Sequence, residues 1–151
     1  MKLLVGAIAA MALCVSPMAG ASAKPPLSKA EIADVLSSNG YDVQDFQANM
    51  LAVVVGQQVV LVGVDGADGD VSYITYLAGV SINQIGHEFL SKFNSEVKFG
   101  RAYVDRDGDV ALQMDRNSAG GVSLQNIESD FDVFLLLISK FLSDLESSAS
   151  A

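Results

Sequence analysis

Between Leu51 and Leu77 the chain carries three short apolar runs rich in β-branched residues: Leu51–Val55, Val59–Val64 and Val71–Leu77. Side chains branched at Cβ are stiff at χ1 and fit a pleated surface better than a helical one. Each run has the length of a strand. Gly56-Gln57 suits a tight type II′ turn, because glycine at the first loop position supplies the positive φ. The third run is entered through Asp65-Gly66-Ala67-Asp68-Gly69-Asp70, a turn-rich stretch. Strands joined this closely pair antiparallel. Several of these positions are apolar consecutively, a pattern that implies cover on both faces of the sheet. Helices can cover one face. The sequence leaves open what covers the other.

Two further strands lie in Lys98–Asp115, on either side of Asp107-Gly108. A two-residue turn would place Arg101 on the face of Leu112 and Met114, and burying an unpaired guanidinium is costly. A three-residue turn, Arg106-Asp107-Gly108 with Gly108 left-handed, pairs Asp105 with Asp109 and Val104 with Val110. Gly100, Ala102, Val104, Val110, Leu112 and Met114 then share one face. Phe99, Arg101, Tyr103, Asp105, Asp109, Gln113 and Asp115 share the other, with Arg101 within reach of Asp115. The three-residue register is the expectation.

Helices frame these strands. Ser28-Lys29-Ala30-Glu31 forms a capping box ahead of Ile32, Val35 and Leu36, and Asn39-Gly40 supplies a stop, giving a helix near 28–38. Ser81 with Gln84 is a second box, and Ile82, Ile85, Phe89 and Phe93 share a stripe over 82–95. Gly86 weakens that helix by about 1 kcal/mol. After Gly120-Gly121, Ser123 caps the most periodic segment, near 124–146. There Ile127, Phe131, Phe134, Leu135, Ile138, Phe141, Leu142 and Leu145 recur at three- and four-residue steps. The expected fold is α+β: helix, three antiparallel strands, helix, two-strand hairpin, helix. That is a five-stranded antiparallel sheet in a single domain over 24–151, with helices packed mainly on one face.

The first residues set the compartment. Met1-Lys2, the apolar run Leu3–Val15 and the small-residue site Ala21-Ser22-Ala23 read as a secretory signal peptide cleaved after Ala23. The run is shorter than the ~20 residues that span a bilayer. Cys14 lies inside it behind a large Leu13, which does not suit a lipid-attachment site. The mature protein is therefore expected in the periplasm or secreted medium, without a membrane anchor. Cleavage removes one lysine and no carboxylate, taking the formal charge from −9 to −10 and leaving no cysteine. An exported chain without disulfides depends on its core for stability. Its negative charge argues against nucleic acid as a partner.

Taken together, these residues resemble the YbjN domain family. Asn39-Gly40-Tyr41, Phe93-Asn94, Phe99-Gly100-Arg101-Ala102-Tyr103-Val104-Asp105, Asp107-Gly108-Asp109, Asp115 and Gly120-Gly121-Val122 carry the likeness over nearly all of the mature chain. Phe93 stands where many members have Trp, and the cysteine that many carry in the strand region is absent. The resemblance implies a bacterial sensory transduction regulator with a fold similar to type III secretion chaperones. Those are small, acidic, usually dimeric proteins that bind extended segments of other proteins. It brings no catalytic residues.

The expected role is accordingly non-enzymatic protein binding, chaperone-like or sensory-regulatory, through the outer sheet face. Phe99, Arg101, Tyr103 and Asp115 are the candidate surface, and the occupant is a protein partner or a second copy. His87 is the sole histidine, no Gly-x-Ser-x-Gly elbow is present, and neither a catalytic nor a cofactor site is expected. The alternative is an acidic calcium- or small-ligand-binding module using Asp105, Asp107 and Asp109 with Asp65, Asp68 and Asp70. Against it, Gly108 comes two places early for a calcium loop, and Arg116 falls where a bidentate Glu is needed.

Overall fold

The computed structural model describes residues 25–149. The predicted signal peptide, its expected cleavage site after Ala23 and Cys14 lie outside the described residues. In chain order the elements are α1 (Lys29–Ser38), β1 (Asp42–Gln47), β2 (Met50–Val55), β3 (Gln58–Asp65), β4 (Asp70–Ser81), α2 (Ile82–Glu96), β5 (Gly100–Val104), β6 (Asp109–Arg116) and α3 (Leu124–Ala149). The strands form one antiparallel sheet in the order β1-β2-β3-β4-β6-β5. The α+β class holds, but the sheet has six strands where the sequence predicts five. The additional strand is β1. It lies at the sheet edge, pairs on one side only, and turns a single apolar residue, Val43, toward the core. Such a strand carries almost no alternation to read.

The caps form as their residues dictate. Ser28 Oγ accepts from the Glu31 N–H at 3.2 Å while the Glu31 carboxylate accepts from the Ser28 N–H at 2.8 Å. Ser123 and Asn126 make the same reciprocal pair ahead of α3. The α2 segment is not the continuous helix the stripe predicts. Gly86 sits at φ 74°, ψ 157° and breaks it into two pieces. β4 also runs past the predicted 71–77, carrying an irregularity between Tyr76 and Ser81.

All three helices cover one face of the sheet. Leu51, Val53, Val60, Val62, Val71, Tyr73, Leu112 and Met114 meet Ile32, Leu36, Phe93, Ile127, Phe131, Phe134 and Phe141 in one buried cluster. Thr75, also buried, donates its hydroxyl to the Val59 carbonyl at 2.9 Å. At the base of this layer Arg116 is held by both oxygens of Asp130 on α3. The periodic stripe of α3 omits Leu137, which is buried over Gly100. A Cβ at Gly100 would lie 2.5 Å from Leu137 Cδ1 and 3.2 Å from the Gln113 carbonyl oxygen. Gly100→Ala is therefore expected to lower stability by about 1–2 kcal/mol through overpacking. A denaturation midpoint equal to wild type would contradict this close approach of helix and strand.

Tyr73 lies in the middle of this core beside Asp130 and Arg116. Burial first, then the Asp130 charge, push its phenol far above the ordinary value near 10, with Arg116 pulling the other way. The folded state thus holds this proton more tightly than the unfolded chain does. Its contribution to stability is full below about pH 10 and is lost as pH rises above that value. Tyr73→Phe should flatten the alkaline fall in melting temperature between about pH 9 and 11 relative to wild type. Parallel pH profiles for the two proteins would refute this assignment.

Candidate functional site

The predicted hairpin register is the observed one. Val104 pairs with Val110 and Arg101 with Gln113, and Arg106-Asp107-Gly108 makes the turn, with Gly108 at φ 91°. Asp105 organises the turn, its Oδ1 accepting from the N–H groups of Asp107 and Asp109, each at 2.9 Å. Ala102, Val110, Leu112 and Met114 are buried beneath the helices.

The opposite face shows what the apolar runs left open. No helix lies over it among the described residues. Its outward positions form cross-strand rows. Gln44, Ala52, Leu61, Ile74, Gln113 and Arg101 lie side by side across all six strands. A second row holds Asp42, Val54 and Val59 at one end and Tyr76, Ala111 and Tyr103 at the other. Ala52, Val54, Leu61 and Ile74 are partly exposed, Val59 is 46% exposed and Tyr76 45%. Ala111 is fully buried between its cross-strand neighbours Tyr76 and Tyr103.

Three of the four candidate residues come together. Arg101 Nη1 donates to Asp115 Oδ2 at 3.1 Å, and its guanidinium carbon lies 6.0 Å from the Tyr103 ring centre. An exposed pair of this kind contributes at most about 1 kcal/mol, so its value lies in orienting Arg101. Burial pushes the Tyr103 phenol up, Tyr76 adds to the rise, and Arg101 opposes it. Phe99 stands apart. It precedes β5, has φ 70° and is 78% exposed, so strand alternation does not extend to it. Sequence reasoning passed over Tyr76, Val59, Leu61 and Ile74. Their signal was present as the consecutive apolar residues of two central strands.

Three of the six loop aspartates make local hydrogen bonds. Asp105 holds its own turn, Asp65 accepts from the Asn49 amide, and Asp70 accepts from the Ser118 N–H at 2.7 Å. Among the described residues no group of three or more His, Cys, Asp or Glu is arranged to hold a metal ion. His87 is exposed on α2, on the helical side of the sheet. Asn94, on α2, has a role that no periodicity signals. Its carboxamide accepts from the Ala102 N–H at 2.7 Å and donates to the Ala102 carbonyl at 2.9 Å, filling part of the outer edge of β5.

No curated protein matches the chain. Among solved structures it is similar to one described as "Crystal structure of YbjN, a putative transcription regulator from E. coli". The TM-score is 0.59 at 12% identity, covering 80% of this chain and 92% of that one. At that identity the likeness concerns the fold. The model of the YbjN family, described as "Putative bacterial sensory transduction regulator", matches residues 28–147, which include every strand and almost all of the helical layer. The chain therefore belongs to the YbjN family.

Proposed function

We propose that this protein is an exported regulatory module that acts by binding a polypeptide, not by catalysis, and that the open sheet face is its docking surface. The observation that carries this reading is the uncovered apolar centre of that face, with Val59 and Tyr76 nearly half exposed beside Leu61 and Ile74. An apolar patch rimmed by polar groups is the usual character of an interaction site. The family's description as regulators, not enzymes, supports the same reading. Export rests on the signal peptide alone, and periplasmic or secreted location is part of the proposal.

The test has two parts. Mass spectrometry of the chain expressed with its leader should give a protein beginning at Lys24, and a mass that retains residues 1–23 would remove the export claim. The purified protein, immobilised, should then capture a partner from periplasmic extract. Tyr76→Asp combined with Tyr103→Asp should abolish capture while leaving the melting temperature nearly unchanged, since both side chains lie outside the core. Capture unaffected by these changes would overturn the docking role of this face.

A further inference from the structure

We infer that the occupant of the open sheet face is a segment of another polypeptide that presents apolar side chains flanked by Lys or Arg. The inference rests on the docking role proposed above and specifies the chemistry of the partner. Its first support is how charge is distributed over the face. The centre is uncharged: Ala52, Val54, Leu61, Ile74, Tyr76, Ala111. Carboxylates surround it: Asp42 on the β1 edge, Asp65 and Asp70 where β3 meets β4, Asp109 at the start of β6, and Asp115 toward β5. The one cation among these outward strand positions is Arg101, already held by Asp115. A second copy would bring an acidic rim against an acidic rim, between chains of formal charge −9 before cleavage of the leader. Like charges set opposite one another across an interface cost affinity, whereas a cationic rim would be drawn in. Anionic lipid and nucleic acid are repelled by the same carboxylates.

The second support is local. Beside the irregularity in β4 lies a hollow of about 350 Å³ lined by Tyr76 and Asp109. The remainder is formed by Leu77 to Ser81. A phenol ring beside a carboxylate fits a Lys or Arg side chain, with the alkyl stem along the ring and the charged head at Asp109. Tyr76 also borders the exposed apolar centre with Val59, Leu61 and Ile74, which receives an apolar side chain from the same segment. Cationic and apolar positions in the partner thus have neighbouring receptors.

The experiment uses two synthetic amphipathic peptides with the same apolar pattern, one built of Leu and Lys and the other of Leu and Glu. Each is titrated by fluorescence anisotropy into the chain purified after expression with its leader. The Lys peptide should bind at least about tenfold tighter than the Glu peptide, and less tightly as salt is raised. Asp42→Asn, Asp109→Asn and Asp115→Asn together should weaken it about tenfold. Neutralising Asp34, Glu88 and Asp132 on the helical side should change it by less than about threefold. Equal weakening by the two sets would mean attraction to bulk charge and overturn the inference. So would equal affinity for the two peptides, and if Tyr76→Asp still abolished capture, the docking role would stand without the cationic partner. A dimer in light scattering that Tyr76→Asp disperses would identify a second copy as the occupant, overturning the inference and keeping the docking surface. Binding of neither peptide, with partner capture insensitive to Tyr76→Asp, would remove both.

Discussion

Replacing Phe131 by alanine should lower the stability of this protein by about 3–5 kcal/mol, a large part of what a domain of this size has. Phe131 is fully buried on α3 and touches two other aromatic rings. Its edge meets Tyr41 at 4.8 Å between centroids, and Tyr73 lies at 6.3 Å. Tyr41 connects α1 to the edge strand β1, and Tyr73 lies on β4, inside the sheet. One side chain therefore joins the long helix to the first strand connection and to the middle of the sheet. Truncation would leave a cavity between elements fixed by backbone pairing, which cannot collapse to fill it. Chemical denaturation of Phe131→Ala beside Leu136→Ala is the measurement. Leu136, 70% exposed on the same helix, should cost under about 0.5 kcal/mol. A Phe131 loss below about 1.5 kcal/mol would mean that α3 is not anchored through this ring.

How much of this was legible in the sequence depends on whether a residue's neighbours are local. Capping at Ser28 and Ser123 needs only residues three positions on, and both caps form. The hairpin register followed from the cost of burying Arg101, and the pairing of Val104 with Val110 bears it out. β1 was not legible, because an edge strand with one inward apolar residue has the pattern of a polar loop. The break at Gly86 leaves no mark on the stripe, which shows which residues share a face and not whether the backbone between them is continuous. The candidate surface was half legible. Arg101, Tyr103 and Asp115 belong to one hairpin, where local alternation places them together. Tyr76 reaches the same surface from a strand far away in sequence, through the pairing of β4 with β6. The doubly apolar strands signalled that something belongs on the second face. Within the described chain nothing sits there, and that difference is the strongest argument for an occupant.

Asn94 yields the second large effect, in both stability and association. Asn94→Ala removes the hydrogen bonds at 2.7 and 2.9 Å to the N–H and carbonyl of Ala102. Ala102 is buried and Asn94 is exposed, so the expected cost is about 1–2 kcal/mol. The same change frees Ala102 on the outer edge of β5, the terminal strand of the sheet. Unpaired backbone groups on an edge strand are a template for another strand, and a side chain that occupies them is one way of blocking it. The alanine variant should therefore associate with rising concentration under conditions where wild type stays unchanged, as followed by light scattering. Asn94→Asp separates the hydrogen-bonding role from simple packing. Its carboxylate still accepts from the Ala102 N–H but faces the Ala102 carbonyl with no proton to donate. Protonation restores the donor, so the folded state raises this carboxyl above its ordinary value near 4. The contribution is full below that value and is lost as pH rises through the folded one. The gap between Asn94→Asp and wild type should then narrow between about pH 6 and 4. A gap independent of pH would show that Asn94 fills space without guarding the edge.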